Sequence, residues 1–175
     1  MIREFTAGEA QSRLAELAGL LVDAVAHGAS VNFLAGFSQA EGERFWAGQL
    51  PGLGTGSTRL FVADGGPLRG TVLLFMAQQP NAPHRAEIGK MLVHSSARRR
   101  GLGAALLATA EAAAHAAGRT LLLLDTETGS AGDMLYRAAG WRECGRVPGH
   151  ALRPNGVLAE TTMFYKPLGP AITGP

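Results

Sequence analysis

Three groups of residues in this sequence have types and spacings suited to chemistry. They are a basic, glycine-containing turn, two carboxylates set at apolar runs, and one tyrosine. The turn is Arg98-Arg99-Arg100-Gly101-Leu102-Gly103. Ile88 to Val93 reads as a strand before it. Leu102 to Ala117 reads as an alanine-rich helix after it, closed at Gly118. The glycines therefore fall on the first turn of a helix, where N–H groups lack partners and the dipole is positive. Without side chains they let a bulky anion approach the backbone, and the arginines add charge around it. The turn suits a pyrophosphate held by the N–H groups of Arg99 to Ala104.

A Walker loop would close with Gly-Lys-Ser/Thr, whereas this chain has Gly103-Ala104-Ala105. A Rossmann fingerprint would need a small residue where Leu106 stands. The spacing Arg98-x-x-Gly101-x-Gly103 instead resembles the acetyl-coenzyme A loop, Q/R-x-x-G-x-G/A, of the GCN5-related N-acetyltransferase (GNAT) superfamily. That resemblance implies acetyl-CoA as co-substrate. It also implies cofactor contacts from Arg98, Arg99, Arg100, Gly101, Leu102, Gly103 and Ala104, with Met91, Leu92 and Val93 pairing to the pantetheine arm like an added strand. The structural alternative is a solvated arginine turn that only caps a helix.

Acetyl transfer to an amine requires loss of a proton, because an ammonium has no lone pair. An alkylamine keeps its proton up to pH about 10, so a nearby carboxylate is the usual remedy. Glu87 lies in an apolar strand, and Asp125 ends the run Leu121–Leu124, where strand carboxyl ends gather ligands. The segments Gly28–Phe33, Arg85–Glu87, Leu124–Ser130, Pro148-Gly149 and Phe164–Lys166 resemble the tabtoxin-resistance branch of the superfamily. This implies direct transfer to a small-molecule primary amine, such as a β-lactam amino acid of tabtoxinine type, with Glu87 and Asp125 binding and deprotonating it. The bland alternatives are a helix N-cap for Asp125 and a pairing of Glu87 with Lys90 or Arg85. Tyr136 to Trp141 resembles the superfamily ending Tyr-x-x-x-Gly-Phe, which implies that Tyr136 lies beside the coenzyme A sulfur and protonates the departing thiolate. A packed aromatic is its alternative. Gly129 stands where relatives often carry an asparagine that contacts pantetheine.

The elements that must position these groups follow from periodicity. A helix is expected over Ala7–His27, with Leu14, Leu17, Leu20, Leu21 and Val25 as its apolar stripe. A second starts at the capping box Ser38–Glu41 and gives way to a loop at Pro51–Ser57. Arg59–Ala63 and Leu68–Ala77 read as strands joined by Asp64-Gly65-Gly66-Pro67. Then come a strand over Ala86–Val93, the long helix, a strand over Thr120–Thr126 and a short helix over Ala131–Ala139. Strands over Trp141–Val147 and Thr161–Lys166 follow, parted by a loop at Pro148–Gly156. This order predicts a single-domain α/β protein, a mixed central sheet flanked by helices on both faces, which is the order of the GNAT fold. The domain is expected over 1–168, with 169–175 a flexible tail.

Composition narrows the classes. In 175 residues, 46% are hydrophobic and 17% charged, which excludes a disordered chain. The net charge of +2 and the absence of aromatics near Arg98–Arg100 argue against a nucleic-acid partner. No apolar run approaches the roughly 20 residues of a membrane span. Cys144 is the only cysteine, so no internal disulfide forms. The five histidines lack metal-ligand spacing, so no metal is expected. The start of the chain lacks a signal-peptide pattern, and a cytoplasmic enzyme is expected. The resemblance further implies a homodimer. The rival function classes are a non-catalytic acyl-CoA sensor and an acetyltransferase of protein or peptide amines.

Overall fold

Alternating apolar runs produce seven strands: β1 (Ile2–Phe5), β2 (Thr58–Ala63), β3 (Gly70–Met76), β4 (Arg85–Val93), β5 (Leu121–Glu127), β6 (Arg142–Leu152) and β7 (Leu158–Pro167). In this computed structural model, which describes residues 1–169, they form one sheet in the order β1-β2-β3-β4-β5-β7-β6. Among the described residues only β4 and β5 run parallel; of the expected tail 169–175, residues 170–175 lie outside the described residues. Helices α1 (Ala7–Ser12), α2 (Leu14–Ala26) and α3 (Gln39–Thr55) cover one face. There Leu17, Leu21 and Trp46 pack on Leu60, Val62 and Leu73. Helices α4 (Leu102–Ala116) and α5 (Ala131–Ala138) cover the other face, where Leu106, Leu107 and Ala110 meet Val72, Leu74 and Leu122. Successive strand residues thus feed opposite cores, as the period of two requires.

Two irregularities open the middle of the sheet. First, β4 and β5 pair only over Arg85–Glu87 with Leu121–Leu123, and beyond this β4 pairs with β3 alone and β5 with β7 alone. The parallel neighbours diverge toward their carboxyl ends. Second, the β3–β4 register shifts. Thr71 pairs with Leu92 and Leu73 with Gly89, so Lys90 and Met91 together oppose Val72. This is a β-bulge, with Lys90 in the left-handed region at φ 44° and its carbonyl accepting from Thr71 Oγ1 at 3.1 Å. Its effect shows in the packing. Ile88 faces the α4 side and Leu92 the α2–α3 side, although residues four apart in a regular strand share a face.

Elsewhere the structure departs from periodicity in instructive places. The first helix breaks at Arg13, whose guanidinium binds Glu16 and Asp64. β1 precedes it, a strand of only four residues. The expected loop at Pro51–Ser57 is mostly helix, since α3 runs through Pro51 to Thr55. Its Gly52 is a packing glycine, because a Cβ there would lie 2.6 Å from Thr58 Oγ1. Leu68 lies in the β2–β3 loop rather than in β3. The Pro148–Gly156 loop is shortened, because β6 continues to Leu152 across a register shift between Val147 and Ala151. β6 is an edge strand, exposed at nearly every position along both faces.

Candidate active site

The basic turn is held open by its backbone. Gly101 is the N-cap of α4 in the left-handed conformation (φ 77°, ψ −1°), and it supplies no capping side chain. Among the described residues, the N–H groups of Arg99 to Ala104 donate no hydrogen bond. Six donors and a helix dipole therefore meet at one spot. Arg98 turns away from it: Nε donates to the Val93 carbonyl at 3.1 Å, and Nη2 lies 3.7 Å from Asp23. Its side chain braces the turn against β4, leaving Arg99 and Arg100 exposed beside the open donors. Asp23 on α2 fixes the approach to the turn, accepting from Ser95 N at 2.8 Å and Ser95 Oγ at 2.7 Å. Burial works against the Asp23 charge, but the Ser95 bonds, His94 and His27 hold its carboxyl below the usual range. Arg69 flanks the same depression together with Arg100, Gly101 and Leu102. Sequence reasoning passed over Arg69 because it sits in a hairpin connection far from the turn along the chain.

On the α3 side of the sheet, three charged groups converge where β4 and β5 part. Glu87 pairs with Leu123 across the strands, and Asp125, two residues on, shares that face. Neither carboxylate makes a hydrogen bond or ion pair among the described residues. The cap of α5 is Ser130, which accepts from Asp133 N at 3.1 Å, so Asp125 is not the cap. Glu127 is bound to Arg153 at 2.7 Å and Thr128 to Thr162 at 2.8 Å. Asp125 is thus the unengaged acid of its motif. Burial, and then the charge of Asp125, push the Glu87 carboxyl above its ordinary range, with Arg85 and Lys90 opposing. The bulge brings Lys90 to this same side, 5.3 Å from the Phe45 ring centre and 5.8 Å from that of Phe33. Sequence reading mentioned Lys90 only as a partner for Glu87. The Phe75 ring lies over the β4 backbone, and a Cβ on Gly89 would come within 2.7 Å of it.

Tyr136 approaches from the opposite face. It is 6% exposed, packed 6.0 Å from Trp141 and 6.1 Å from Phe164 between ring centres. Burial, with the charge of Asp125, raises its phenol well above the ordinary tyrosine range, so it stays protonated. Gly132 makes room: a Cβ there would sit 2.9 Å from Thr126 Oγ1 and 3.4 Å from Tyr136 Cε2. Trp141 is anchored through Nε1 to Glu111 at 2.7 Å. Among the described residues no group of three His, Cys, Asp or Glu side chains could hold a metal. No described helix is long and apolar enough to cross a membrane.

The family model described as acetyltransferase (GNAT) family matches residues 16–141, which carry the turn, both carboxylates and Tyr136. The chain belongs to the GNAT family. It is accordingly an acetyl-CoA-dependent N-acetyltransferase. The free N–H groups at the start of α4 and the unpaired edge of β4 fit that co-substrate. Solved structures share the architecture across nearly the whole chain. An N-acetyltransferase from Staphylococcus aureus Mu50 is 16% identical, with a TM-score of 0.78 over 97% of this chain and 98% of that one. The Salmonella typhimurium protein yncA, solved with its cofactor acetyl-CoA, is 16% identical with a TM-score of 0.77, over 100% of this chain and 97% of that one. The ribosomal-protein-alanine N-acetyltransferase from Brucella melitensis is 24% identical with a TM-score of 0.74, over 95% of this chain and 99% of that one.

Proposed function

We propose that this GNAT enzyme acetylates a primary amine of a small molecule by direct transfer, and that it belongs with the tabtoxin-resistance branch, whose acceptor is a β-lactam amino acid. The observation that carries this reading is the pair Glu87 and Asp125, two carboxylates without partners at the point where β4 and β5 separate. Two exposed acids with no hydrogen bond or ion pair among the described residues gain little for the fold and suit an ammonium ligand.

The residues divide the work by sheet face. Bound acetyl-CoA supplies an activated acetyl thioester. The N–H groups of Arg99 to Ala104 and the cations Arg99, Arg100 and Arg69 would hold its pyrophosphate. Met91, Leu92 and Val93 would pair with the pantetheine arm along the β4 edge that β5 leaves free. Arg98 contributes by bracing the turn. On the α3 side, Asp125 would bind the ammonium and Glu87, with its raised carboxyl, would take one proton to free the lone pair; the second, shed as the amide forms, would leave with the departing thiolate as the thiol. On the α5 side, the Tyr136 hydroxyl would face the departing sulfur. A thiol loses its proton near pH about 8.5. Full proton transfer from a phenol raised by burial is therefore uphill, and Tyr136 acts as a hydrogen-bond donor to the developing thiolate. The enzyme works as a cytoplasmic homodimer, which light scattering would overturn by a single species of 18.2 kDa at micromolar concentration.

The deciding experiment follows thiol release from acetyl-CoA against free amino acids, polyamines, aminoglycosides and tabtoxinine-type β-lactams. Saturable release with one small-amine class is expected. Tight acetyl-CoA binding without release for any of them would point to the sensor class. Acetylation confined to protein N-termini would replace the small-molecule acceptor.

A further inference from the structure

The chain has two lysines, and they are treated differently. Lys166 pairs with Glu111 at 2.7 Å and also donates to the Ala139 carbonyl. Lys90, half-buried, makes no ion pair and donates no hydrogen bond among the described residues. Among the described residues its ammonium lies over the faces of Phe33 and Phe45, at 5.8 and 5.3 Å. Glu87 and Asp125 influence it through space without reaching contact distance. Burial lowers its proton affinity, and the ring faces and the distant charges of Asp125 and Glu87 offset that only in part, with no hydrogen bond or ion pair among the described residues to complete it. The backbone adds to that cost. A regular strand would turn residue 90 toward the α4-side core with Ile88, and the bulge with φ 44° turns it to the acceptor side. The chain thus uses a strained residue to bring a cation with no hydrogen-bonded partner among the described residues to the carboxylate pair.

We propose that Lys90 is the group by which the acceptor site reads an anion, so that the preferred acceptor carries a carboxylate or other acidic group beside its amine. This rests on the reading that Glu87 and Asp125 receive the amine. The two ends of such a molecule are sorted by charge. The ammonium goes to the carboxylates where β4 and β5 part, and its acid group goes to Lys90 against the Phe33–Phe45 wall. Glu87 and Asp125 repel an anion placed the other way round, so the binding orientation is fixed as well as the affinity.

The test compares acceptors that differ in one carboxylate: L-phenylalanine against phenethylamine, L-methionine against 3-(methylthio)propylamine, and L-lysine against cadaverine. For each pair, kcat/KM for thiol release is measured with wild type, Lys90→Met and Lys90→Arg. Taking the ratio within each pair, and then between proteins, cancels differences in amine basicity and any change in Glu87. Methionine meets the same left-handed backbone as lysine, so the fold should persist, and a thermal melt checks it. The expected result is that Lys90→Met lowers the preference for the carboxylate-bearing member by about tenfold or more, mainly through KM, and that Lys90→Arg restores much of it. An unchanged ratio in Lys90→Met overturns the assignment to Lys90 while leaving amine acetylation intact. Thiol release with no amine of the set, acetyl-CoA binding being normal by calorimetry, removes the small-amine reading and this proposal with it.

Discussion

Replacing Glu87 or Asp125 by its isosteric amide removes a charge while keeping shape and hydrogen-bonding capacity. Glu87→Gln and Asp125→Asn should slow acetyl transfer by about 100- to 10,000-fold, with acetyl-CoA affinity by calorimetry nearly constant. The pH profile assigns the roles. The base role proposed for Glu87 needs the ionised carboxylate, and burial with the Asp125 charge raises its carboxyl. Activity is therefore lost as pH falls through that raised value, above the ordinary glutamate position of about 4.3. Asp125→Asn removes the like charge and should move the acidic limb to lower pH in whatever activity remains. An acidic limb unmoved in both variants, with rates reduced less than about tenfold, would make these residues positioning groups only. At Tyr136, the proposed role predicts that substitution by Phe deletes one hydrogen bond to developing negative charge, which is about 1.5–3 kcal/mol, or roughly ten- to hundredfold in kcat. The loss should shrink with acyl donors whose leaving group is more acidic. An equal loss with every donor would place the role of the tyrosine in packing against Trp141 and Phe164 instead.

The strand–turn–helix unit makes its own prediction, because Gly101 combines two demands: a left-handed backbone and open space before the N–H groups. Gly101→Asn keeps a residue that tolerates the left-handed region, whereas Gly101→Val adds the strain of a β-branched side chain there. Both should weaken acetyl-CoA binding, and only Val should also lower the melting temperature. Calorimetry showing wild-type affinity for Gly101→Asn would exclude close approach of the ligand at this turn. This unit was legible in the sequence because its rules are local: an apolar strand, a glycine turn, an alanine-rich helix. Glu87, Asp125 and Tyr136 stand out in the sequence for a similar reason, as acids or a tyrosine set in recognisable short segments, and the roles proposed for them wait on the variants above. Lys90 was not, since its orientation depends on a bulge whose register is set by β3, some twenty residues earlier. Arg69 reaches the turn only through the folding of the β2–β3 connection. Helix α3 misled in the opposite way: Pro51 and Gly52 look like a loop, yet Leu50 and Leu53 packing on the α2–α3 side carries the helix through them.

At the scale of the whole molecule, partly buried ion pairs tie the first elements to the sheet. Arg3 binds Glu9 and Asp64, and Arg13 binds Asp64 and Glu16. Glu9 falls from 4.5 to about 2 through the Thr6 backbone bond and Arg3, and Glu143 to about 2 through Arg146 and Arg137. Lowered folded-state values contribute stability that is present above the unfolded value and lost as pH falls through the folded one. Glu87 has the opposite sign, since a raised value favours the folded state on acidification, but it stands alone against several lowered acids. The melting temperature by calorimetry should therefore hold from about pH 7 to 5 and fall between about 4.5 and 2. A rise on acidification to about pH 3 would show that these pairs do not act on folding.

The edges of the sheet bear on a different property. β1 offers only four residues, and β6, long and uncovered, is interrupted by Pro148 and by two register shifts. Neither rim gives an incoming chain a continuous ladder of free N–H and C=O groups to copy. The irregularity that hid the second half of β6 from sequence reading is thus a safeguard against polymerisation. Pro148→Val should smooth that rim, and turbidity on concentrating the variant would measure how much solubility rests on one missing N–H.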